Sequence, residues 1–538
     1  MTFDYIIVGA GSAGCVLASR LSEDPGTRVL LLEAGGSDRR FKVQTPAAYS
    51  YLHNSPVDWA FRTEPQPHVL NRRMHQPRGK ALGGSSSTNC MAYIRGNRKD
   101  YDDWAAAGNR GWSYREVLPY FTKSEHNEQL RDEFHGQGGP LNVTYSQSWN
   151  SPVTRAFVNA HVELGYSATP DFNGPQQEGA GVFQFTIKEG RRWSTSNAFL
   201  RPVMRRPNLQ VMTQAHTRRV LLQDGRAVGV EILHKGSQTV TAYASKEVVL
   251  SAGSFASPQL LMLSGIGPEG HLREHGIRTE LNLPGVGQNL TDHLIIGTSC
   301  IANQPVSFNT AETPGNLLQY LIFHTGPFSA SPLAACSFLK TRPDCDRPDI
   351  QLHFAPAHGQ DMHDPSTFPK QVDGYSILPT LLSPKSVGEV TLRSADPLAA
   401  PRIDPHYLEA PEDLETLLRG VRMAKELFFS HSFDAYRVRM SFPERHESDD
   451  ELIHHILTKV ETCYHPAGTC KMGHDAMAVV DDQLRVRGIE GLRVADCSIM
   501  PRVISGNTNA PVIMIAEKAA DLLRGVDLAQ RSEAAQRA

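Results

Sequence analysis

The chain has 538 residues, of which 40% are hydrophobic and 21% are charged, and its formal net charge is −3. This composition is typical of a globular protein with more than one domain. It lacks the basic stripe that a nucleic-acid partner requires and any run of about 20 apolar residues that would span a membrane. Scattered cysteines and the lack of a signal-peptide pattern favour a cytoplasmic location, and peripheral contact with the inner membrane stays open.

A strand, a glycine-rich turn and a helix are predicted at the start of the chain. Residues 4–8 form an apolar strand, followed by the sequence GAGSAG from Gly9 to Gly14. A helical pattern runs on to Leu21 and stops at the polar residues that follow. A second strand, residues 28–32, ends in Glu33. This order is typical of a dinucleotide-binding β-α-β unit.

Each glycine of the turn has a separate physical task. Gly9 permits the tight turn, Gly11 lets the backbone approach a pyrophosphate, and Gly14 allows close packing of helix on strand. The helix N-terminus offers unpaired N–H groups to phosphates. Glu33 can accept hydrogen bonds from ribose hydroxyls and would repel the 2′-phosphate of NADP. The motif alone does not separate FAD from NAD, and a glycine-rich turn without a ligand is the alternative.

The rest of the chain divides into two kinds of sequence. Strand and helix signals alternate again at about 208–300, which predicts an α/β sheet. The region from about 300 to 460 is rich in Pro and His and contains strand-like runs at 375–380 and 388–392. We interpret it as a second domain that caps the first. The last 75 or so residues again contain closely spaced motifs like those of the first domain. The first domain is therefore predicted to be discontinuous, with the cap inserted into it.

Two long segments resemble the signatures of the glucose–methanol–choline (GMC) oxidoreductases. The first runs from Gly79 to Asn89 and on through Tyr93, Gly96 and Asp102, and the second covers 253–267. The resemblance spans residues 3 to about 525, and choline dehydrogenase-like and alcohol dehydrogenase-like bacterial members are the most similar. It implies a Rossmann-like α/β FAD-binding domain, formed by residues 1–155, 195–310 and 462–538. It also implies an α+β substrate-binding cap domain with an antiparallel sheet, formed by residues 156–194 and 311–461.

The resemblance also implies an active site. The segment from Tyr464 to Gly473 is similar to the family's catalytic histidine loop, with His465 as the base, and Asn507 stands where members carry a second active-site His or Asn. A neutral imidazole can take the hydroxyl proton of an alcohol while hydride leaves for flavin N5. Asn507 can hold the substrate oxygen. A helix predicted to start near Pro511 would direct its N-terminus at the reduced flavin and stabilise its negative charge.

The same resemblance implies which residues contact FAD. Asp496 is expected near the ribityl–pyrophosphate region and Val220 at the adenine, through backbone atoms. Thr88 stands where members with a covalent flavin link carry His, so a non-covalent FAD is expected. The full set of expected contacts is Gly9, Gly11, Ser12, Ala13, Gly14, Glu33, Ala34, Gly79, Lys80, Gly83, Gly84, Ser85, Asn89, Met91, Ala92, Val220, Ala252, Asp496 and Thr508.

The predicted substrate is an apolar or aromatic primary alcohol, which is oxidised to the aldehyde. Tyr464 adjoins the base, Trp59 is a candidate for the cavity wall, and Pro314, Phe328 and Phe354 belong to the predicted cap. Choline would need an aromatic cage with a carboxylate nearby, which the sequence does not place. A dehydrogenase that uses a quinone-type carrier is favoured over an oxidase that turns O₂ into H₂O₂. A non-redox FAD lyase and an NAD-dependent dehydrogenase are the remaining alternatives.

No metal site is expected. His353, His358 and His363 recur every five residues, beside Asp361 and Asp364. This spacing does not place the imidazoles on one helix face, and a proline and a glycine interrupt the segment.

Overall fold

The computed structural model describes residues 1–146, 148–359 and 372–526. In chain order, its strands are β1 (Thr2–Val8), β2 (Val29–Leu32), β3 (Phe61–Arg62), β4 (His75–Gln76), β5 (Glu125–Asn127), β6 (Leu141–Tyr145), β7 (Gly179–Val182), β8 (Gln184–Phe185), β9 (Ile187–Lys188), β10 (Arg191–Arg192), β11 (Leu209–Met212), β12 (Ala215–Gln223), β13 (Arg226–His234), β14 (Gln238–Leu250), β15 (Ile266–Gly267), β16 (Leu281–Asn282), β17 (Leu294–Ile295), β18 (Thr298–Ala302), β19 (Ala335–Leu339), β20 (Ile350–Ala355), β21 (Gly374–Leu381), β22 (Glu389–Thr391), β23 (Arg402–Asp404), β24 (Arg437–Phe442), β25 (Glu461–Thr462) and β26 (Leu492–Val494). Its α-helices are α1 (Ser12–Leu21), α2 (Phe41–Gln44), α3 (Arg98–Ala106), α4 (Tyr114–Ser124), α5 (Pro152–Glu163), α6 (Gly253–Leu263), α7 (Glu269–Glu274), α8 (Pro314–Phe323), α9 (Pro411–Phe428), α10 (Asp449–Lys459) and α11 (Asn509–Arg524).

The first large sheet has β1 at its centre. Its order is β11-β2-β1-β14-β13-β12, with β26 paired to β14. The pairs that join β11, β2, β1, β14 and β26 are parallel, whereas β12, β13 and β14 form an antiparallel meander. Parallel strands are buried on both faces, which explains the near-continuous apolar runs of β1 and β2. The predicted β-α-β start is confirmed as β1-α1-β2, and α11 packs against α1.

The second large sheet has the order β24-β18-β21-β20-β19-β7, with β17 paired to β21 and to β25. Every one of these pairings is antiparallel. β20 and β21 are buried along their whole length, because the helices α5 and α9 cover them. This sheet has a hydrophobic core of its own, separate from the core of the first sheet.

The two large sheets draw their strands from several of the segments predicted from the sequence. β17 and β18 lie within the segment 195–310, which was assigned to the nucleotide domain, yet both pair in the second sheet. β7, from the segment 156–194, joins the second sheet as the edge neighbour of β19. Across the three described ranges, no helix is both long and apolar enough to cross a bilayer.

Candidate active site

A cavity of about 510 Å³ extends from the carboxyl ends of β1 and β2 to the inner strands of the second sheet. Val8 and Leu32 line its nucleotide end, and His353 and Leu378 line the end formed by β20 and β21. Ligands of open α/β sheets bind outside the carboxyl ends of the parallel strands, so its position is that of a cofactor cleft.

Glycines form the walls of the cavity where two loops approach each other. A Cβ on Gly84 would lie 2.6 Å from the Cα of Gly11, and one on Gly9 would lie 2.5 Å from the carbonyl oxygen of Ser251. A Cβ on Gly14 would meet the carbonyl oxygen of Gly9 at 1.8 Å, because α1 packs closely on β1. Side chains at these positions would close the loops on each other, so the backbone itself forms the cradle.

Two helices present their N-termini to the cradle. α1 begins after Gly11 and α11 after Thr508, and neither helix has a side-chain cap on its first N–H groups. The hydroxyl of Ser12 donates to Oδ1 of Asn509 at 2.8 Å, which ties the two helix starts together. Free N–H groups and the positive end of each helix dipole suit an anionic ligand.

Glu33 lies at the end of β2 with its carboxylate buried. It accepts hydrogen bonds from the backbone N–H groups of Ala10 at 3.1 Å and Gly35 at 2.7 Å. Burial raises the pKa of Glu33 to about 7, although both N–H donors and the ammonium of Lys80 act in the opposite direction. A carboxylate held in this way keeps acceptor capacity for the hydroxyls of a ribose.

Asp496 follows β26 and binds the start of α6. Its Oδ2 accepts from the N–H of Gly253 at 2.8 Å and the hydroxyl of Ser257 at 2.6 Å, and its Oδ1 accepts from the N–H of Ser498. This carboxylate lines the cavity.

Most of the residues expected from sequence line this one cavity. Gly14 and Gly83 lie behind the wall, where the N–H of Gly83 donates to the carbonyl oxygen of Ala10 at 2.8 Å. Val220 also lies outside the lining, and its N–H donates to the hydroxyl of Ser264. Ala215 and Thr217 of the same strand, β12, line the cavity. The expected residues that line the cavity are Gly9, Gly11, Ser12, Ala13, Glu33, Ala34, Gly79, Lys80, Gly84, Ser85, Asn89, Met91, Ala92, Ala252, His465, Asp496, Asn507 and Thr508.

His465 lies on the loop after β25 and makes two contacts that sequence reasoning did not find. Its Nδ1 is 3.0 Å from Nδ1 of His293, and its backbone N–H donates to Oδ1 of Asp292 at 2.8 Å. Tyr464, directly before it, has a φ of 63°, which turns the chain so that the imidazole enters the cavity. Burial lowers the pKa of His293 to about 4, so this ring is neutral at ordinary pH.

Asp292 is a buried hub beneath this loop. Its Oδ2 accepts from the hydroxyls of Tyr407 and Thr462, each at 2.5 Å, and from the amide of Gln76 at 3.3 Å. Burial raises the pKa of the Asp292 carboxyl above its usual value, although those hydrogen bonds act in the opposite direction. The only sequence signal for this hub was the polar pair Asp292-His293 directly before an apolar strand, and nothing in the pattern linked that pair to His465.

Asn507 faces the other nitrogen of the His465 imidazole. Its Nδ2 lies 3.4 Å from Nε2 of His465. Its Oδ1 is buried, and within the described part of the chain no group donates to it. A buried amide oxygen without a donor is costly, which indicates that a ligand group completes the site.

The end of the cavity beyond His465 is apolar. Ile295, Leu333, Leu378 and Cys463 line it and belong to one small hydrophobic cluster. Trp59, a predicted residue of the cavity wall, lines the cavity, and its ring centroid lies 4.4 Å from the ammonium of Lys80.

Three of the aromatic and proline candidates lie elsewhere. Phe354 packs against Phe157 in the core of the second sheet, with ring centroids 4.7 Å apart. Pro314 starts α8 and Phe328 packs near Tyr320, and neither lines the cavity.

Two of the three histidines in the five-residue repeat, His353 and His358, are hydrogen-bonded within the protein. Nδ1 of His353 lies 2.9 Å from the hydroxyl of Thr380, and Nε2 of His358 lies 2.7 Å from that of Ser441. His363, Asp361 and Asp364 lie outside the described residues.

The glycine cradle, the two helix N-termini and Glu33 fit a dinucleotide cofactor whose reactive ring would lie near His465. Comparisons with known proteins agree with a cofactor of this kind. The N- and C-terminal domain models described as GMC oxidoreductase match residues 3–295 and 384–516. The chain is 44% identical to an alcohol dehydrogenase [acceptor] of Pseudomonas putida, over 98% of this chain and 97% of that one. It is 44% identical to the mitochondrial choline dehydrogenase of Mus musculus, over 97% and 89%. The crystal structure of pyridoxine 4-oxidase from Mesorbium loti superposes with a TM-score of 0.89, at 32% identity, over 97% of this chain and 99% of that one.

Proposed function

This chain belongs to the GMC oxidoreductase family, and we propose that it oxidises an apolar or aromatic primary alcohol to the aldehyde, with His465 as the base. It is an FAD-dependent oxidoreductase that acts on CH–OH donors. When bound, FAD supplies the acceptor for the hydride that leaves the alcohol carbon. The proton step, the orientation of the substrate and the shape of the pocket are the tasks of the protein.

The observation that supports this proposal best is the polarity of the hydrogen bonds around His465. Nδ2 of Asn507 lies 3.4 Å from Nε2 and can donate to it, so we assign the unprotonated ring nitrogen to Nε2. The proton of the neutral ring then resides on Nδ1, where it donates to the neutral His293 at 3.0 Å. This tautomer presents a base to the cavity, and Nε2 can take the hydroxyl proton of an alcohol placed beside Asn507.

Asn507 has a separate role in this proposal. Its amide can donate to the substrate oxygen as that oxygen loses its proton, which holds the oxygen beside the base. An amide cannot itself accept the proton, so His465 carries the base function alone. The N-terminus of α11 directly follows Asn507 and adds positive potential to the same end of the cavity.

The lining supports an apolar substrate rather than a quaternary ammonium alcohol. Ile295, Leu333 and Leu378 are the apolar side chains that a substrate would meet beyond His465, at the end that His353 also lines. Among the described residues, the carboxylates that line the cavity are Glu33 and Asp496, and both are bound by backbone N–H groups of the nucleotide domain. A choline headgroup would therefore find no carboxylate at the apolar end, although choline is named for several relatives.

The cofactor contacts, the non-covalent attachment and the domain boundaries belong to the same proposal. The glycine cradle and Glu33 would hold the nucleotide part, and Thr88, which lines the cavity, lacks the imidazole nitrogen that forms the covalent link in other members. We place the cap boundary near residue 293 rather than 310, since β17 pairs in the antiparallel sheet that would cover the substrate. A quinone-type carrier is the proposed electron acceptor.

Bleaching of the bound flavin under anaerobic conditions tests the function directly. Benzylic and medium-chain primary alcohols should bleach the flavin at low concentration, and choline should do so at least about tenfold less efficiently. His465→Ala should slow the reduction by about 10²-fold or more while the protein stays yellow. Equal efficiency with choline would overturn the substrate proposal, and near-normal reduction in His465→Ala would overturn the assignment of the base. Stoichiometric H₂O₂ in air would show an oxidase instead of a dehydrogenase.

A further inference from the structure

The helix α8 presents an apolar face to solvent. Tyr320 is the only one of its residues that is buried. Leu318, Leu321 and Ile322 lie three and four positions apart, on one face, and all are exposed. Phe323 at the end of the helix is 69% exposed. The helix therefore buries one tyrosine and leaves four large apolar side chains in solvent, unlike an ordinary surface helix, whose apolar residues face the core.

Two neighbouring aromatic residues extend this surface. The ring of Phe41 packs edge-on against Tyr320 at 6.2 Å and is itself 53% exposed. Tyr51 is also exposed, and its hydroxyl donates to Glu312, two residues before α8. We define the lipid face as Phe41, Tyr51, Leu318, Leu321, Ile322 and Phe323. Exposed apolar side chains grouped in this way usually mark a contact with a membrane or a protein.

Basic side chains surround the lipid face, although the chain as a whole has a net charge of −3. Arg39, Arg40 and Lys42 flank Phe41 and are all exposed. The guanidinium of Arg191 lies 2.6 Å from Nε2 of His324, at the end of α8. The exposed acids in these segments are Glu189 and Glu312, so the basic groups predominate.

We propose that the lipid face binds the surface of a membrane that contains anionic lipids. An apolar helix face flanked by Arg and Lys is the pattern of helices that lie in the headgroup region, where the apolar side chains enter and the cations meet anionic headgroups. A second copy of the chain suits this surface less well. A helix of ten residues is about 15 Å long and about 10 Å wide. Even with two aromatic rings, that is far below the roughly 800 Å² that each partner buries in a standard interface.

The lipid face lies next to the wall of the active-site cavity. The short helix Pro46–Leu52 supplies Tyr49 to the cavity, and the same helix carries Tyr51 of the lipid face two residues later. An enzyme docked by this face would hold its cavity close to the bilayer, where apolar alcohols and apolar electron carriers concentrate. The inference does not depend on the proposed function, because none of the six side chains lines the cavity.

Co-sedimentation with vesicles tests the proposal on the full, FAD-containing chain. One set of vesicles is phosphatidylcholine alone and the other an equimolar mixture with phosphatidylglycerol. We expect binding to the mixed vesicles with a partition coefficient at least about tenfold higher than to phosphatidylcholine, and a loss of that preference in high salt. The double variant Ile322→Glu/Phe323→Glu should lower binding by about tenfold or more, because two apolar side chains can no longer enter the lipid.

Matched variants separate the lipid face from general effects. Val438→Glu changes an exposed apolar residue on β24, far along the chain from α8, and should bind vesicles like the unchanged protein. Arg39→Glu/Arg40→Glu should reduce binding to the mixed vesicles only. All of these variants should oxidise alcohol normally with a soluble dye as the acceptor.

Three results would overturn the proposal. The first is no binding to either vesicle, and the second is binding that Ile322→Glu/Phe323→Glu leaves unchanged. The third is a dimer in light scattering that this double variant converts to a monomer, without any vesicle binding, which would make the face an interface between copies of the chain.

Discussion

Replacement of His293 tests how the active site orients its base. His293 is completely buried, and its Nδ1 contacts Nδ1 of His465 at 3.0 Å. In the proposed tautomer, His293→Ala leaves the Nδ1–H of His465 without an acceptor. This N–H becomes a stronger donor as the ring takes the proton of the alcohol, so the loss of about 1–3 kcal/mol for a buried donor falls on the transition state. At 1.36 kcal/mol per tenfold change, the rate constant for flavin reduction should fall by about 5- to 150-fold. The affinity for the alcohol should change little, because His293 does not line the cavity.

Two further variants make this result specific to the hydrogen bond. In His293→Asn, the amide oxygen can take the place of Nδ1 as acceptor, so this variant should recover much of the rate. His161 is the matched control, since it too is fully buried with its pKa lowered to about 4, but it bonds Phe157 and Ser337 in the second domain. His161→Ala should lose stability without slowing reduction.

Anaerobic stopped-flow measurement at several alcohol concentrations separates the reduction rate constant from substrate affinity. The reasoning is refuted if His293→Ala reduces flavin as fast as the unchanged protein. It is also refuted if His161→Ala slows reduction to the same extent as His293→Ala.

Three more predictions concern the cofactor. Gly84→Ala should purify largely colourless, because the new Cβ would lie 2.6 Å from the Cα of Gly11, whereas Gly36→Ala, with nothing within 4 Å of its Cβ, should keep its 450 nm absorbance; equal flavin content would contradict the cradle. Burial raises the pKa of Glu33 to about 7 in the folded protein, whereas in the unfolded chain it is about 4.5. The folded protein therefore holds this proton more tightly, and the resulting stabilisation of the apoprotein is lost as the pH rises from about 4.5 to about 7. Urea unfolding should show that loss, of up to about 3 kcal/mol, in the unchanged apoprotein and not in Glu33→Gln; parallel pH profiles would contradict it. Because Thr88 stands in place of the linking histidine, acid precipitation should release the yellow colour into the supernatant, and a yellow pellet would show a covalent link.

The nucleotide-binding part of the site could be predicted from the sequence because its requirements are local. A turn that needs a left-handed residue at Gly9, and a helix that packs closely at Gly14, depend on residues a few positions apart. Glu33 follows in the same β-α-β unit. His465 and Asn507 were recognised from motifs around each residue, and the structure brings both to one cavity.

Only the tertiary structure decided what surrounds the base and where apolar surface stays exposed. His293 and His465 are 172 positions apart, and their contact exists because β17 pairs with β25, directly before the catalytic loop. No local pattern encodes such a pairing, since it depends on the register of strands from distant parts of the chain. The apolar residues of α8 can be read from the sequence, but whether they are covered depends on their neighbours in space.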